Sequence, residues 1–228
     1  MEAVIAKLRG DLWKYVNGST ESFVLLEILI GIVVLQYTFR MEPISIIEII
    51  TSVVSGLYLA DLGTGLIHLY FDIYGENTLW KPAFSEFSEH HPNPQNIIEW
   101  SLWKALKETS VVPIPLICVL YNLTPLTSKP QILCQIITLY GMRVSQIIHK
   151  YAHLINILTE EQKQTPEYQF VMFLQDIRLI VHPKEHHIHH TGKYDMNFCI
   201  VNGWANPLLN SIVHIPFIHS RLFPDDVL

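Results

Sequence analysis

Residues 44–74, ISIIEIITSVVSGLYLADLGTGLIHLYFDIY, decide the architecture of this chain. From Ile44 to Ala60 the stretch is apolar enough to lie in a bilayer, and its helical pattern continues unbroken to Tyr74. Some thirty residues in a helix reach about 45 Å, whereas a hydrocarbon core is roughly 30 Å thick, so the helix must protrude or tilt. Its far part bears Asp61, Gly65, His68 and Asp72, spaced by four, three and four, which puts them on one face. A polar, glycine-lined stripe thus leaves the membrane carrying an imidazole.

Composition agrees with a membrane setting. Half of the 228 residues are apolar and only 16% are charged, too greasy a balance for an ordinary soluble domain. A net charge of -6 excludes a nucleic-acid footprint, so no nucleic-acid partner is expected. Cys118, Cys134 and Cys199 form no C-x-x-C pair, which argues against a disulfide framework and against thiolate zinc or iron-sulfur centres. No secretory signal or transit-peptide composition is seen at the start. Twelve histidines are the unusual feature.

Other segments complete an all-α, polytopic membrane bundle of about four transmembrane helices with a His-rich cytoplasmic cap. Residues 1–21 read as an amphipathic N-terminal segment on the membrane surface, with Val4, Leu8 and Leu12 on one side and Lys7, Asp11 and Lys14 between. Residues 22–228 read as a single membrane domain. Its spans are expected at Phe23 to Phe39, at Ile44 and beyond, at Val111 to Leu126 despite Pro113 and Pro115, and at Ile132 to Leu158. Phe170 to His182 reads as an amphipathic helix ended by Pro183. With four spans, twelve of the fifteen Lys and Arg share one side, which the positive-inside tendency makes cytoplasmic. All the grouped histidines fall on that side.

Those groups carry the chemistry. The run His186-His187-Ile188-His189-His190 contains His-x-x-His-His, and four rings in five residues suit a metal far better than an apolar core, where each polar nitrogen would need a partner. His149 and His153, at i and i+4, share a helix face; His90 and His91 stand in a connecting loop, and His68 ends the first stripe. Eight imidazoles exceed the needs of one tetrahedral zinc, and they suit two irons with three or four nitrogens each. A b-type haem would leave most of them unexplained, and a transporter would place such groups near the bilayer midplane rather than at one face. A membrane metal transporter or haem protein is therefore the alternative from a different class.

The order of these boxes also resembles the Kua-type lipid desaturase domain. The resemblance rests on Ala60-Asp61-Leu62-Gly63-Thr64-Gly65-Leu66-Ile67-His68 with Asp72 and Gly75, Glu89-His90-His91, His149-Lys150-Tyr151-Ala152-His153, Leu174-Gln175-Asp176, His186-x-x-His189-His190, and Phe198-Cys199-Ile200 with Gly203-Trp204. That family includes plasmanylethanolamine desaturase, which forms the vinyl ether of plasmalogens, and a plastid enzyme acting near the carboxyl end of a phosphatidylglycerol acyl chain. The resemblance implies an O2-dependent oxidoreductase with a non-haem di-iron centre and eight ligands, transferred onto His68, His90, His91, His149, His153, His186, His189 and His190. It implies a membrane glycerolipid substrate, desaturated near its glycerol end, and an external electron donor such as cytochrome b5 or ferredoxin. Residence in the endoplasmic reticulum follows if the source is eukaryotic. An acyl-chain desaturase or a lipid hydroxylase with the same centre is the alternative within this chemistry. The chain departs from the ether-lipid members at Glu108-Thr109-Ser110-Val111, where they carry an acidic-Thr-Asn-Gly stretch, so no role is transferred there.

Residues outside the boxes receive plainer expectations. Asp61, Asp72 and Asp176 are candidates to orient imidazole N–H groups. His182, His187, His214 and His219 read as surface or packing residues, and Trp80, Trp100, Trp103 and Trp204 as interfacial anchors or packing. Pro183 and Gly203 are expected to turn the backbone around the histidine run.

Overall fold

The computed structural model describes residues 43–74, 90–109, 128–191 and 193–224, and its secondary structure there is entirely helical. The helices are α1 (Ile46–Tyr74), α2 (Gln95–Ile98), α3 (Leu102–Glu108), α4 (Lys129–Leu154), α5 (Glu160–Lys163), α6 (Pro166–Asp176), α7 (Pro183–His189), α8 (Asn206–Val213) and α9 (Pro216–Leu222). Residues from Ile44 onward form one compact unit. The expected amphipathic segment at 1–21, the spans at Phe23 to Phe39 and Val111 to Leu126, and Trp80 lie outside the described residues.

The expected helix through Tyr74 is α1, and it is built inside out. Its buried residues are Ser52, Gly56, Ala60, Asp61, Thr64, Gly65 and His68, small or polar at helical spacing. Its exposed ones include Ile46, Ile47, Ile50, Val54, Leu59 and Leu66. A helix dissolved in water does the reverse, whereas a helix in lipid keeps small and polar residues for its helix contacts. Among the described residues α1 is the one helix long and apolar enough to cross a membrane. The other expected span, α4, has the length but buries Arg143, Ser145, Gln146, His149 and His153, which dilute its apolar character. It also ends at Leu154, short of Leu158.

α1 and α4 pack side by side and run in the same direction. Ser52 Oγ donates to the Pro130 carbonyl at 3.0 Å, Thr138 Oγ1 donates to the Gly56 carbonyl at 3.2 Å, and Gly141 faces Ala60. A Cβ on Gly56 would lie 2.7 Å from both the Cys134 carbonyl oxygen and Ile137, so the closeness of the pair depends on this glycine. Parallel packing has a functional result: the histidines at the C-terminal halves of both helices reach the same level.

The short helices cap that end. Trp100 is buried with Ile97 and Ala105, carries the Lys104 ammonium 4.7 Å above its ring, and accepts a hydrogen bond from Lys150 at its carbonyl, so its role is packing. Thr109 is buried too, donating to the Arg143 carbonyl at 2.7 Å, while Arg143 donates to the Leu106 carbonyl. Pro183 does not end the preceding helix as expected. α6 stops at Asp176, Arg178 takes a positive φ of 60°, and Pro183 opens α7, where a fixed φ and a missing N–H cost nothing. His182 caps α7, its Nδ1 accepting from the Lys184 N–H at 3.1 Å. The histidine run is therefore itself a helix.

Candidate metal centre

The structure brings all eight nominated histidines together, in two donor groups. His90, His149, His153, His186 and His190 form one; His68, His91 and His189 form the other with Asp72. The groups abut, with ring centroids of His91 and His190 5.1 Å apart and those of His189 and His190 5.2 Å apart. Each adjacent pair is divided: His90 and His190 serve the first group, His91 and His189 the second. Helical spacing supplies the rest, since His149 and His153, His186 and His190, and His68 and Asp72 are all i, i+4 partners.

Backbone carbonyls fix the rings. His68 Nδ1 donates to the Phe198 carbonyl at 2.9 Å and His189 Nδ1 to the Met196 carbonyl at 2.8 Å. A carbonyl only accepts, so each ring's proton sits on Nδ1 and its Nε2 presents a lone pair inward. His149 Nδ1 is held in the same way by Gln146 Oε1 at 3.1 Å. The apolar box Phe198-Cys199-Ile200 thus acts through its main chain. It lies against α1 because position 65 is glycine, where a Cβ would come within 2.4 Å of Cys199 Sγ.

Asp61 secures this segment rather than a ring. Its Oδ1 accepts from the N–H groups of Val201, Asn202 and Gly203 at 3.0, 2.8 and 3.1 Å, and its Oδ2 from Ala205 at 2.9 Å. Gly203, at φ 78°, makes the turn possible. Asp176 is exposed and sits 3.9 Å from His182, away from both groups. Asp72 departs from the expected ring-orienting role in the other direction. Its carboxylate faces the inward nitrogens themselves, 3.5 Å from His68 Nε2, 3.3 Å from His91 Nε2 and 3.5 Å from His189 Nε2.

Two of those contacts lack a ring proton. His68 and His189 have used their N–H groups on carbonyls, so lone pairs of two rings confront a carboxylate in a buried site. A cation between them resolves the repulsion. In the first group, Nε2 of His186 lies 2.9 Å from that of His153 and 3.0 Å from that of His190, and His149 and His153 are 3.2 Å apart at Nε2. A transition ion about 2.0–2.1 Å from each imidazole nitrogen places neighbouring donors roughly 2.9 Å apart at right angles and roughly 3.4 Å apart at tetrahedral angles. The donor spacing fits metal ions in both groups.

Burial keeps the rings neutral, as ligation requires. It pushes His91 down to about 4, His189 to about 3 and His190 to about 2, and holds His186 well below the ordinary imidazole range. The site is closed on one side by Tyr194, stacked on His91 with centroids 4.7 Å apart. Neither Tyr194 nor Gln146 was marked by any spacing in the sequence. His187 is exposed, on the side of α7 away from His186 and His189.

Comparison with known proteins now gives the arrangement a lineage. A family model described as the lipid desaturase domain matches residues 57–218. The chain belongs to the lipid desaturase domain family. The match begins just before the stripe on α1 and ends within α9, so it encloses both donor groups. Plasmanylethanolamine desaturase 1 of Mus musculus is 30% identical over 171 residues, covering 69% of this chain and 59% of that protein. Plasmanylethanolamine desaturase of Myxococcus xanthus is 25% identical over 174 residues, covering 74% and 58%. Fatty acid desaturase 4, chloroplastic, of Arabidopsis thaliana is 30% identical over 166 residues, covering 70% and 47%. The matched regions thus span roughly half to three-fifths of these relatives. No solved structure matches the chain.

Proposed function

We propose that this lipid desaturase family member is an O2-dependent, membrane-bound di-iron oxidoreductase that introduces a double bond near the glycerol end of a membrane glycerolipid chain. The reading most like its relatives is formation of a plasmalogen vinyl ether from a plasmanylethanolamine. One observation carries the di-iron part: two abutting, buried donor groups in which eight imidazoles and Asp72 converge at metal-ligand spacing. His90, His149, His153, His186 and His190 would hold one iron, and His68, His91, His189 and Asp72 the other. Imidazole with a carboxylate and no thiolate suits iron.

When bound, the two irons supply O2 activation, so that with two external electrons and two protons a CH2–CH2 unit becomes CH=CH and O2 leaves as two waters. The chain's own residues position and shield. The carbonyls of Phe198 and Met196 and the amide of Gln146 set the ring orientations, and the buried rings keep bulk water from the reacting carbon. The electrons come from an external carrier of the cytochrome b5 or ferredoxin class.

Regiochemistry follows from address. α1 carries apolar residues outward along the part before Ala60, and its donors His68 and Asp72 lie beyond, toward the end of the helix. With α1 across the bilayer, the centre sits at the membrane face, beside the glycerol backbone and the first carbons of the chains. The positive-inside tendency makes that face cytoplasmic, on the endoplasmic reticulum in a eukaryote. An acyl-chain substrate is the second reading, supported by equal identity to the mouse and chloroplast relatives.

Lipid analysis of a host expressing the chain separates the two: acid-labile vinyl ethers support the first reading and new acyl double bonds the second. Purified protein is expected to carry about two irons per chain with no haem absorption. An active preparation that holds only zinc would overturn the proposal.

A further inference from the structure

A third cluster of donors stands apart from the two groups. Asp195 lies in the segment before the Phe198 box, His214 follows directly on α8, and His219 is in α9. Their donor atoms all lie within 4.8 Å of one another. His214 Nδ1 donates to the Asn210 carbonyl at 2.8 Å, so in the neutral ring its Nε2 carries the lone pair, and that nitrogen faces Asp195 Oδ2 at 3.4 Å. His219 Nε2 faces the same oxygen at 3.3 Å, and the two rings stack with centroids 5.4 Å apart and planes 21° from parallel.

These separations are long for a charge-assisted hydrogen bond, which closes to about 2.7–2.9 Å. They match the edge of a tetrahedron around an ion roughly 2.0–2.1 Å from each donor. We propose that Asp195, His214 and His219 bind a zinc-class divalent cation, with a fourth position open to water. Two imidazoles and one carboxylate select such an ion over magnesium or calcium, which take oxygen donors. The side chains are 16%, 38% and 22% exposed, so this ion exchanges with solution, unlike one enclosed by the buried groups.

The site has a structural consequence for the main centre. Asp195 sits between Tyr194, stacked on His91, and Met196, whose carbonyl holds His189. Tyr194 and Asn197 have positive φ angles of 55° and 59°, a conformation that asparagine adopts readily but that a bulky residue such as Tyr194 holds only when its surroundings impose it. A cation on Asp195 ties this strained segment to α8 and α9 and so steadies His91 and His189. The inference stands whether or not the main centre uses iron in desaturation.

The test uses the full chain in detergent, without an affinity tag and with its main centre filled with iron, titrated with Co2+ alone. About one cobalt per chain with a tetrahedral-type visible spectrum is expected. The double variant His214→Gln/His219→Gln should lose that band while keeping its iron, and Asp195→Asn should bind cobalt at least tenfold more weakly. Added zinc should slow iron loss to a chelator in the unaltered protein and not in the double variant. Cobalt uptake unchanged in the double variant, or absent from the unaltered protein, overturns the site; an iron-loss rate indifferent to zinc overturns the tie to the main centre.

Discussion

The two donor groups share a wall of imidazoles but differ in charge. The group built on α4 has five neutral rings and no carboxylate, whereas the group built on α1 has three rings and Asp72. A divalent ion keeps its full charge in the first and loses one unit in the second. Buried charge is costly unless compensated, so the Asp72 group should hold the more oxidised iron more comfortably. The two ions, on this proposal, are neighbours with different tasks rather than copies.

The harshest challenge to that comparison is removal of a ring on which one group depends. His186 Nε2 touches both His153 and His190 Nε2, so His186→Ala should empty the α4 group and abolish product. His68→Ala should do the same from the α1 side. Iron content near one per chain in each, with no activity in either, is the expected pair of results. Full activity in either variant would mean that the two groups do not act together.

Asp72→Asn probes the charge difference itself. The amide keeps the size and removes the negative charge that His68, His91 and His189 face. Iron should fall in the α1 group alone, with activity down about 10–100-fold. Equal loss from both groups would erase the distinction drawn between them. Mössbauer spectra of the iron-57 protein would read it directly, since two unlike sites give two signals.

Acidification tests the ligand rings of both groups. An exposed imidazole titrates near pH 6.5, whereas His91, His189 and His190 are depressed to about 4, 3 and 2. Between those values these three rings bind more protons in the unfolded chain than in the folded one. The metal-free fold therefore has this contribution in full above about pH 6.5 and loses it progressively as pH falls through about 4, 3 and 2. Urea midpoints at pH 7.5 and pH 5 should show the drop. In the loaded protein, iron should leave as the ligand rings of either group take up protons at low pH.

What could be read in the sequence is explained by period. The i, i+4 pairs and the stripe on α1 are local regularities, so the eight histidines that meet and the long helix were legible from spacing and resemblance. The division of His90 from His91 and of His189 from His190 between two donor groups was not, because it depends on where four separate elements meet. Asp72 was read as a ring-orienting group since its spacing says only that it shares a face with His68. Its contact with the inward nitrogens of His91 and His189 is tertiary. The roles of Gln146, Phe198 and Met196 were hidden for a similar reason: two of the three act through carbonyl oxygens, which every residue has. Pro183 was misread because proline both ends and begins helices, and only the turn at Arg178 shows which it does here.

The smallest expected effect is the sharpest control. His187 belongs to the same run as His186, His189 and His190, and by composition nothing separates the four. On α7, however, His186 and His189 point into the site while His187 lies exposed, and the next residue, Ile188, is 45% exposed as well. His187→Ala should leave iron content, product and the acid profile within error of the unaltered protein, with a stability change inside about 0.5 kcal/mol. A large loss of iron from this variant would show that the helical register of α7 is wrong, and with it the assignment of His189 and His190 to different ions. Because the register fixes all four rings at once, an inert His187 supports the other three together.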